Sequence, residues 1–196
     1  MRLDGAVLLG GASRRMGRDK ARLELGGVPC AERVARALAE VCGDVWLVGG
    51  DPPESAPGRP ARDPDGPRCA LRGLVAALAA SQAEYVLVCA TDQPLVTPAF
   101  LGALADAPPA DAVVPRDPSG AHPLCARYHR ATVLGPARGR LSGDALSVRG
   151  LLDAVDTSWF EGVDLRAADP NGVALLNVNT PEEFAEAEAR LLAIGT

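Results

Sequence analysis

The chain has 196 residues, 47% hydrophobic and 23% charged, enough for one domain spanning 1–196 with a core that needs no staples. A net charge of -5, a pI near 5.1 and only 4% aromatics argue against a nucleic-acid surface, an anionic membrane partner or a base-stacking groove. Five scattered cysteines without a C-x-x-C pair exclude a zinc ribbon or a disulfide framework. They suit a reducing cytoplasm, as does the absence of a signal-peptide pattern or of an apolar run near the ~18 residues that span a bilayer.

In chain order, Ala6–Leu9 reads as a buried strand, followed by Gly10-Gly11 and then by Arg14, Arg15, Arg18 and Lys20. Paired glycines bring backbone amides close to a ligand, and the cations concentrate positive charge in an otherwise acidic chain. This is a polyphosphate-binding arrangement; an ordinary strand–turn–helix with a solvated basic face is the alternative. Arg22–Leu25 predicts a short strand ended by a turn at Gly26-Gly27, and Pro29 opens a helix with Val34, Leu38 and Val41 on one face. Asp44–Val48 is a second core strand, residues 51–69 a proline- and glycine-rich surface loop, and 70–81 a helix. Tyr85–Cys89 is the clearest strand, and Thr97-Pro98 starts a helix to about 106. Asp111–Val114 and Leu124–Tyr128 read as strands, the latter antiparallel or at an edge. Ser147–Val155 and Pro181–Ile194 read as helices, the last opened by Thr180-Pro181-Glu182-Glu183.

Such alternation predicts an α/β fold: a mostly parallel, Rossmann-like sheet with an antiparallel edge, sandwiched between helical layers. Ligands bind beyond the carboxyl ends of such strands. Residues 9–20 and Cys89–Pro94 should therefore converge. Asp92, just past a buried strand, is suited to hold a divalent cation against phosphate oxygens, unless it only caps its own turn. Asp63 offers a carboxylate for the N1–H and exocyclic amine of guanine, or a solvated loop acid. His122, Asn177 and Asn179 could orient a second substrate; a hydrogen-bonded loop histidine and a helix-start role for the asparagines compete. No nucleophile–histidine pair, P-loop or G-x-G-x-x-G is present. A phosphate clamp, a metal carboxylate and no protein nucleophile together suit attack by a substrate phosphate on a nucleoside triphosphate.

Leu9-Gly-Gly-Ala-Ser-Arg-Arg-Met-Gly-Arg-Asp-Lys20 closely resembles the signature of the molybdenum cofactor guanylyltransferases, of the sugar-nucleotidyltransferase-like superfamily. Cys89–Pro94, Asp63 with Ala70–Gly73, His122-Pro123 and Asn177–Glu183 resemble its further motifs, so the similarity spans nearly the whole chain. The resemblance implies a nucleotide-diphospho-sugar transferase-like fold and transfer of GMP from GTP to the phosphate of molybdopterin. It further implies Mg2+, with Mn2+ as a substitute, and molybdoenzyme maturation factors as partners. By position it assigns Leu9, Gly10, Gly11, Lys20, Asp63 and Asp92 to the nucleotide, Arg15, Lys20 and Asp92 to catalysis, Asp92 to the metal, and His122, Asn177 and Asn179 to the acceptor. The chain departs from the family's G-P-L-A-G at Cys69–Gly73, where Arg72 replaces a small residue. The competing readings are a relative using CTP or a sugar- or cobinamide-phosphate acceptor, and a non-catalytic nucleotide-binding accessory protein.

Overall fold

A computed structural model describes residues 2–10, 22–66 and 68–194. Its centre is built from the two most apolar runs. Strands β1 (Leu3–Leu8) and β6 (Tyr85–Ala90) lie side by side and parallel, with Leu8 opposite Ala90. Strand β4 (Val45–Val48) pairs parallel on the other side of β1, Leu8 opposite Val48. Three carboxyl ends therefore finish at one level, as the alternation predicted.

The flanking strands are less legible locally. Strand β5 (Arg59–Ala61), inside the segment expected to be loop, pairs parallel with β4 and forms one edge. Pro60 is tolerated there because an edge strand can spare one backbone donor. Strands β7 (Ala112–Asp117) and β10 (Thr157–Phe160) pair parallel at the other edge, and β8 (Gly120–Ala121) folds back on β7 as a hairpin. The sheet order is β10-β7-β9-β6-β1-β4-β5. The antiparallel strand expected at the edge is β9 (Cys125–His129), and it stands inside the sheet between β6 and β7. Its sequence, all buried except His129, fits that interior position.

Helices cover both faces. Helices α1 (Cys30–Ala39) and α3 (Pro98–Asp106) pack on one, in a core with Val7, Leu47, Leu87 and Phe160. Helix α2 (Ala70–Ala80) packs on the other against Ala6, Leu8, Val86 and Val88, with α4 (Arg130–Ser142) and α5 (Val148–Leu152) beside it. Helix α4, strand β10 and helix α6 (Gly162–Ala168) were not foreseen. Gly135, Pro136 and Gly139 interrupt the local signal of α4, which is held by burying Val133 and Ala137. Among the described residues no helix is long and apolar enough to cross a membrane.

Helix α7 (Pro181–Ile194) builds a third, smaller core. It closes on the hairpin of β2 (Glu24–Leu25) and β3 (Val28–Pro29), bringing Ala187 against Leu25, Cys30, Leu95 and Val178. Its start is a capping box. Glu183 accepts from the backbone N–H groups of Asn179 (2.6 Å) and Thr180 (3.1 Å), and the Thr180 hydroxyl accepts from the Glu183 N–H (3.2 Å).

Candidate active site

The end of β1 is where the chain leaves the sheet. Leu9 is buried and still bonded, its N–H donating to the Val48 carbonyl at 2.9 Å, while Gly10 is exposed, with nothing among the described residues within 4 Å of where a Cβ would stand. Gly11, Arg14, Arg15, Arg18 and Lys20 lie outside the described residues.

Asp92 stands two residues past β6, in a loop tied from two directions. Its carbonyl accepts from the Val178 N–H at 2.7 Å, and the Pro94 carbonyl accepts from Arg33 Nε of α1 at 3.2 Å. Val178 and Leu95 are both buried in the α7 core, so hydrophobic packing holds the Asn177–Asn179 segment against the Asp92 loop. The two asparagines sit on either side of that anchor, Asn177 exposed and Asn179 half-buried. The helix-start role weighed for Asn179 is present too, through its backbone. Among the described residues no group of three or more His, Cys, Asp or Glu side chains is placed to hold a metal. A carboxylate at the ligand edge fits a hard cation that keeps waters and takes its other oxygens from phosphates.

Asp63 reaches the same edge from β5. Its carboxylate lies over Gly49, 3.1–3.3 Å from where a Cβ would stand, and Gly49 has φ +68°. Gly50 has φ +57°, and a Cβ there would stand 3.0 Å from the Leu9 Cβ. Sequence inspection passed over these two glycines, although a Gly-Gly pair directly after a buried strand was the available signal. Gly49→Ala should cost about 1 kcal/mol from the left-handed backbone and displace the Asp63 carboxylate. Thermal unfolding checks this: the midpoint falls by a few degrees. The Asp63 carboxylate also accepts from Arg72 Nη2 at 2.9 Å.

On the other flank, His122 is buried and both ring nitrogens are engaged. Nε2–H donates to Asp117 Oδ1 at 3.1 Å, and Nδ1 accepts from Gln93 Nε2 at 3.2 Å. The tautomer follows from the neighbours, because the Ser119 hydroxyl spends its proton on the same Asp117 oxygen at 2.6 Å. Burial works against the Asp117 charge, yet the hydrogen bonds from Ser119 and His122 hold its carboxyl below the ordinary range. His122 thus links the β7–β8 hairpin to the residue after Asp92. Gln93 was not singled out from sequence, since its partner His122 lies 29 residues away; Asp117 was passed over although Ser119 and His122 stand within five residues of it.

The edge therefore has three stations across the sheet: Asp63 beyond β5, Asp92 in the middle beyond β6, and Gln93 with His122 toward β9 and β7. Cys89 and Cys125 face each other across β6 and β9 beneath this edge.

Residues 5–157 match the family model described as MobA-like NTP transferase domain. The Chloroflexus aggregans protein named "Probable molybdenum cofactor guanylyltransferase" is 36% identical over 203 residues, covering 97% of this chain and 96% of the relative. The molybdenum cofactor guanylyltransferase of Rhodobacter capsulatus is 34% identical, with 97% of each chain covered. In fold, the crystal structure of molybdopterin-guanine dinucleotide biosynthesis protein A from Archaeoglobus fulgidus superposes with a TM-score of 0.83 at 23% identity, covering 97% of this chain and 99% of that one. With a family match across most of the chain and relatives above 30% identity along nearly all of it, the chain belongs to the MobA-like NTP transferase family.

Proposed function

We infer that this chain carries out the reaction for which its relatives are named, transferring GMP from GTP to the phosphate of molybdopterin. A phosphate oxygen of the acceptor forms a bond to the α-phosphorus of GTP. The bond between that phosphorus and the α–β bridging oxygen breaks, and pyrophosphate leaves, yielding a guanine dinucleotide cofactor. The observation that carries this reading is the convergence of β1, β4 and β6 at one edge, where Asp92 stands between Leu9-Gly10 and the Asn177–Asn179 segment.

Each station then has a task. Leu9, Gly10 and Gly11 line the nucleotide, and Asp63 accepts from the guanine edge. Arg15 and Lys20 supply the positive charge that gathers the triphosphate and stabilises the charge developing on the leaving pyrophosphate. Asp92 holds a divalent cation, Mg2+ or in its place Mn2+, which neutralises phosphate charge when bound. Asn177 and Asn179 face the acceptor, and His122 acts on that side by holding the Gln93 amide. The protein contributes position and charge and forms no covalent intermediate, since two phosphates brought into line need no protein nucleophile. The product passes to molybdoenzyme maturation partners.

The test is GTP-dependent pyrophosphate release with molybdopterin as acceptor and magnesium present. Release with CTP or ATP should be no more than about a tenth of that with GTP, since a mismatched base leaves Asp63 facing the wrong edge. Equal release with CTP would overturn the guanine assignment, and none with any nucleotide would overturn the transfer itself.

A further inference from the structure

Arg72 and Asp63 make one leg of an ion pair and leave the other open. Arg72 Nη2 donates to Asp63 Oδ2 at 2.9 Å, and Nη1 is committed to the Gly66 carbonyl at 2.7 Å. Asp63 Oδ1 and Arg72 Nε are both buried, and among the described residues neither has a hydrogen-bond partner. A guanidinium beside a carboxylate ordinarily closes both legs, because its fork matches the two oxygens. Leaving a buried donor and a buried acceptor unpaired costs about 1–3 kcal/mol each. A site that keeps both is set to receive a ligand offering an acceptor next to a donor.

Guanine offers that pair: O6 accepts and the adjacent N1–H donates. Adenine reverses it, placing an amino N–H where the guanidinium N–H points and a lone pair against the carboxylate. Cytosine reverses it in the same way. Uracil repeats the guanine order but is one ring short. The pair lies at the nucleotide flank, its carboxylate over Gly49 and, through Gly50, beside Leu9. Arg72 itself sits in the first turn of α2.

We propose that Arg72 reads guanine together with Asp63, its Nε–H donating to O6 while Asp63 Oδ1 accepts from N1–H. This rests on the guanine base lying at Asp63. The residue that departs from the family pattern thus supplies a second specificity contact.

Calorimetric titration without acceptor, using GTP and 6-thio-GTP in the presence of magnesium, tests it. Sulfur at position 6 is a weaker acceptor and leaves N1–H in place, so the comparison isolates the O6 contact. The unmodified protein should bind GTP about tenfold more tightly than 6-thio-GTP. In Arg72→Met the GTP affinity should fall about tenfold and the ratio collapse to near one, the signature of a removed pairwise contact. A ratio near one in the unmodified protein overturns the proposal without any variant, as does a full ratio retained in Arg72→Met. Asp63→Asn separates the two layers. If it lowers GTP affinity while Arg72→Met keeps the ratio, only the Arg72 contact is wrong. If Asp63→Asn leaves GTP affinity unchanged, the base does not lie at Asp63 and the underlying assignment fails.

Discussion

Replacing Asp92 with alanine is expected to cut GTP-dependent pyrophosphate release by at least about a hundredfold, the scale of losing one preorganised charge contact in a transition state. The loop should survive the change. Ties that do not use the Asp92 carboxylate hold it: the Asp92 carbonyl to the Val178 N–H, the Pro94 carbonyl to Arg33, and the Gln93 amide to His122. Val178 and Leu95 stay buried in the α7 core whatever stands at position 92. The thermal midpoint should therefore stay within about 3 °C of the unmodified protein, roughly what one lost contact of 1 kcal/mol gives at this chain length. Pyrophosphate assays with a parallel melt separate the outcomes. Activity retained at a tenth or more would remove Asp92 from the catalytic centre. A large fall in the midpoint would make its role architectural.

The largest stability effect should come from Arg127 on β9, far from the proposed chemistry. The residue is 2% exposed and no carboxylate is paired with it among the described residues. It donates through Nη1 to the carbonyls of Ala105 and Ala107, the latter at 2.8 Å, and through Nη2 to that of Pro108 at 2.6 Å. These belong to the end of α3 and the turn after it, where carbonyls lack helical partners. Helix α3 ends at Asp106 with Ala107, not a glycine, at its C-cap, so the guanidinium takes that part from a neighbouring strand. It also stacks 4.9 Å from the centre of the Tyr85 ring. Burial pushes the Arg127 pKa down, with Tyr85 and Asp106 acting against the shift. Arg127→Met keeps much of the volume and strands three carbonyls. The expected loss is about 3 kcal/mol, a fall of about 9 °C in the midpoint. Arg127→Lys, with one donor centre in place of three, should recover only part. A shift under 2 °C for the methionine variant would show that water or a local rearrangement satisfies those carbonyls instead.

These two residues also mark the boundary of what could be read from the chain. Asp92 was legible because a buried apolar run, a turn and a carboxylate follow one another within eight residues. Arg127 was not, because it stands in a strand while its partners are 19 to 22 residues earlier. The same division runs through the site. Leu9, Gly10 and Asp92 were placed by their position after strands. The open ion pair of Asp63 and Arg72, the His122 link to Gln93, and the Val178 clasp on Asp92 needed the folded chain.

The sequence by itself determined the local decisions. It specified which runs are buried strands, where Thr97 and Thr180 start helices, where the Gly26-Gly27 turn reverses the chain, and that cations and glycines follow β1. Each is settled by hydrogen bonds or burial within about five residues, so the signal survives in a short window. Only the tertiary structure decided the strand order, the interior place of antiparallel β9, the edge strands β5 and β10, and helix α4 despite its proline and glycines. Those outcomes depend on packing partners far apart in sequence, whose burial outweighs weak local propensity once the sheet has formed.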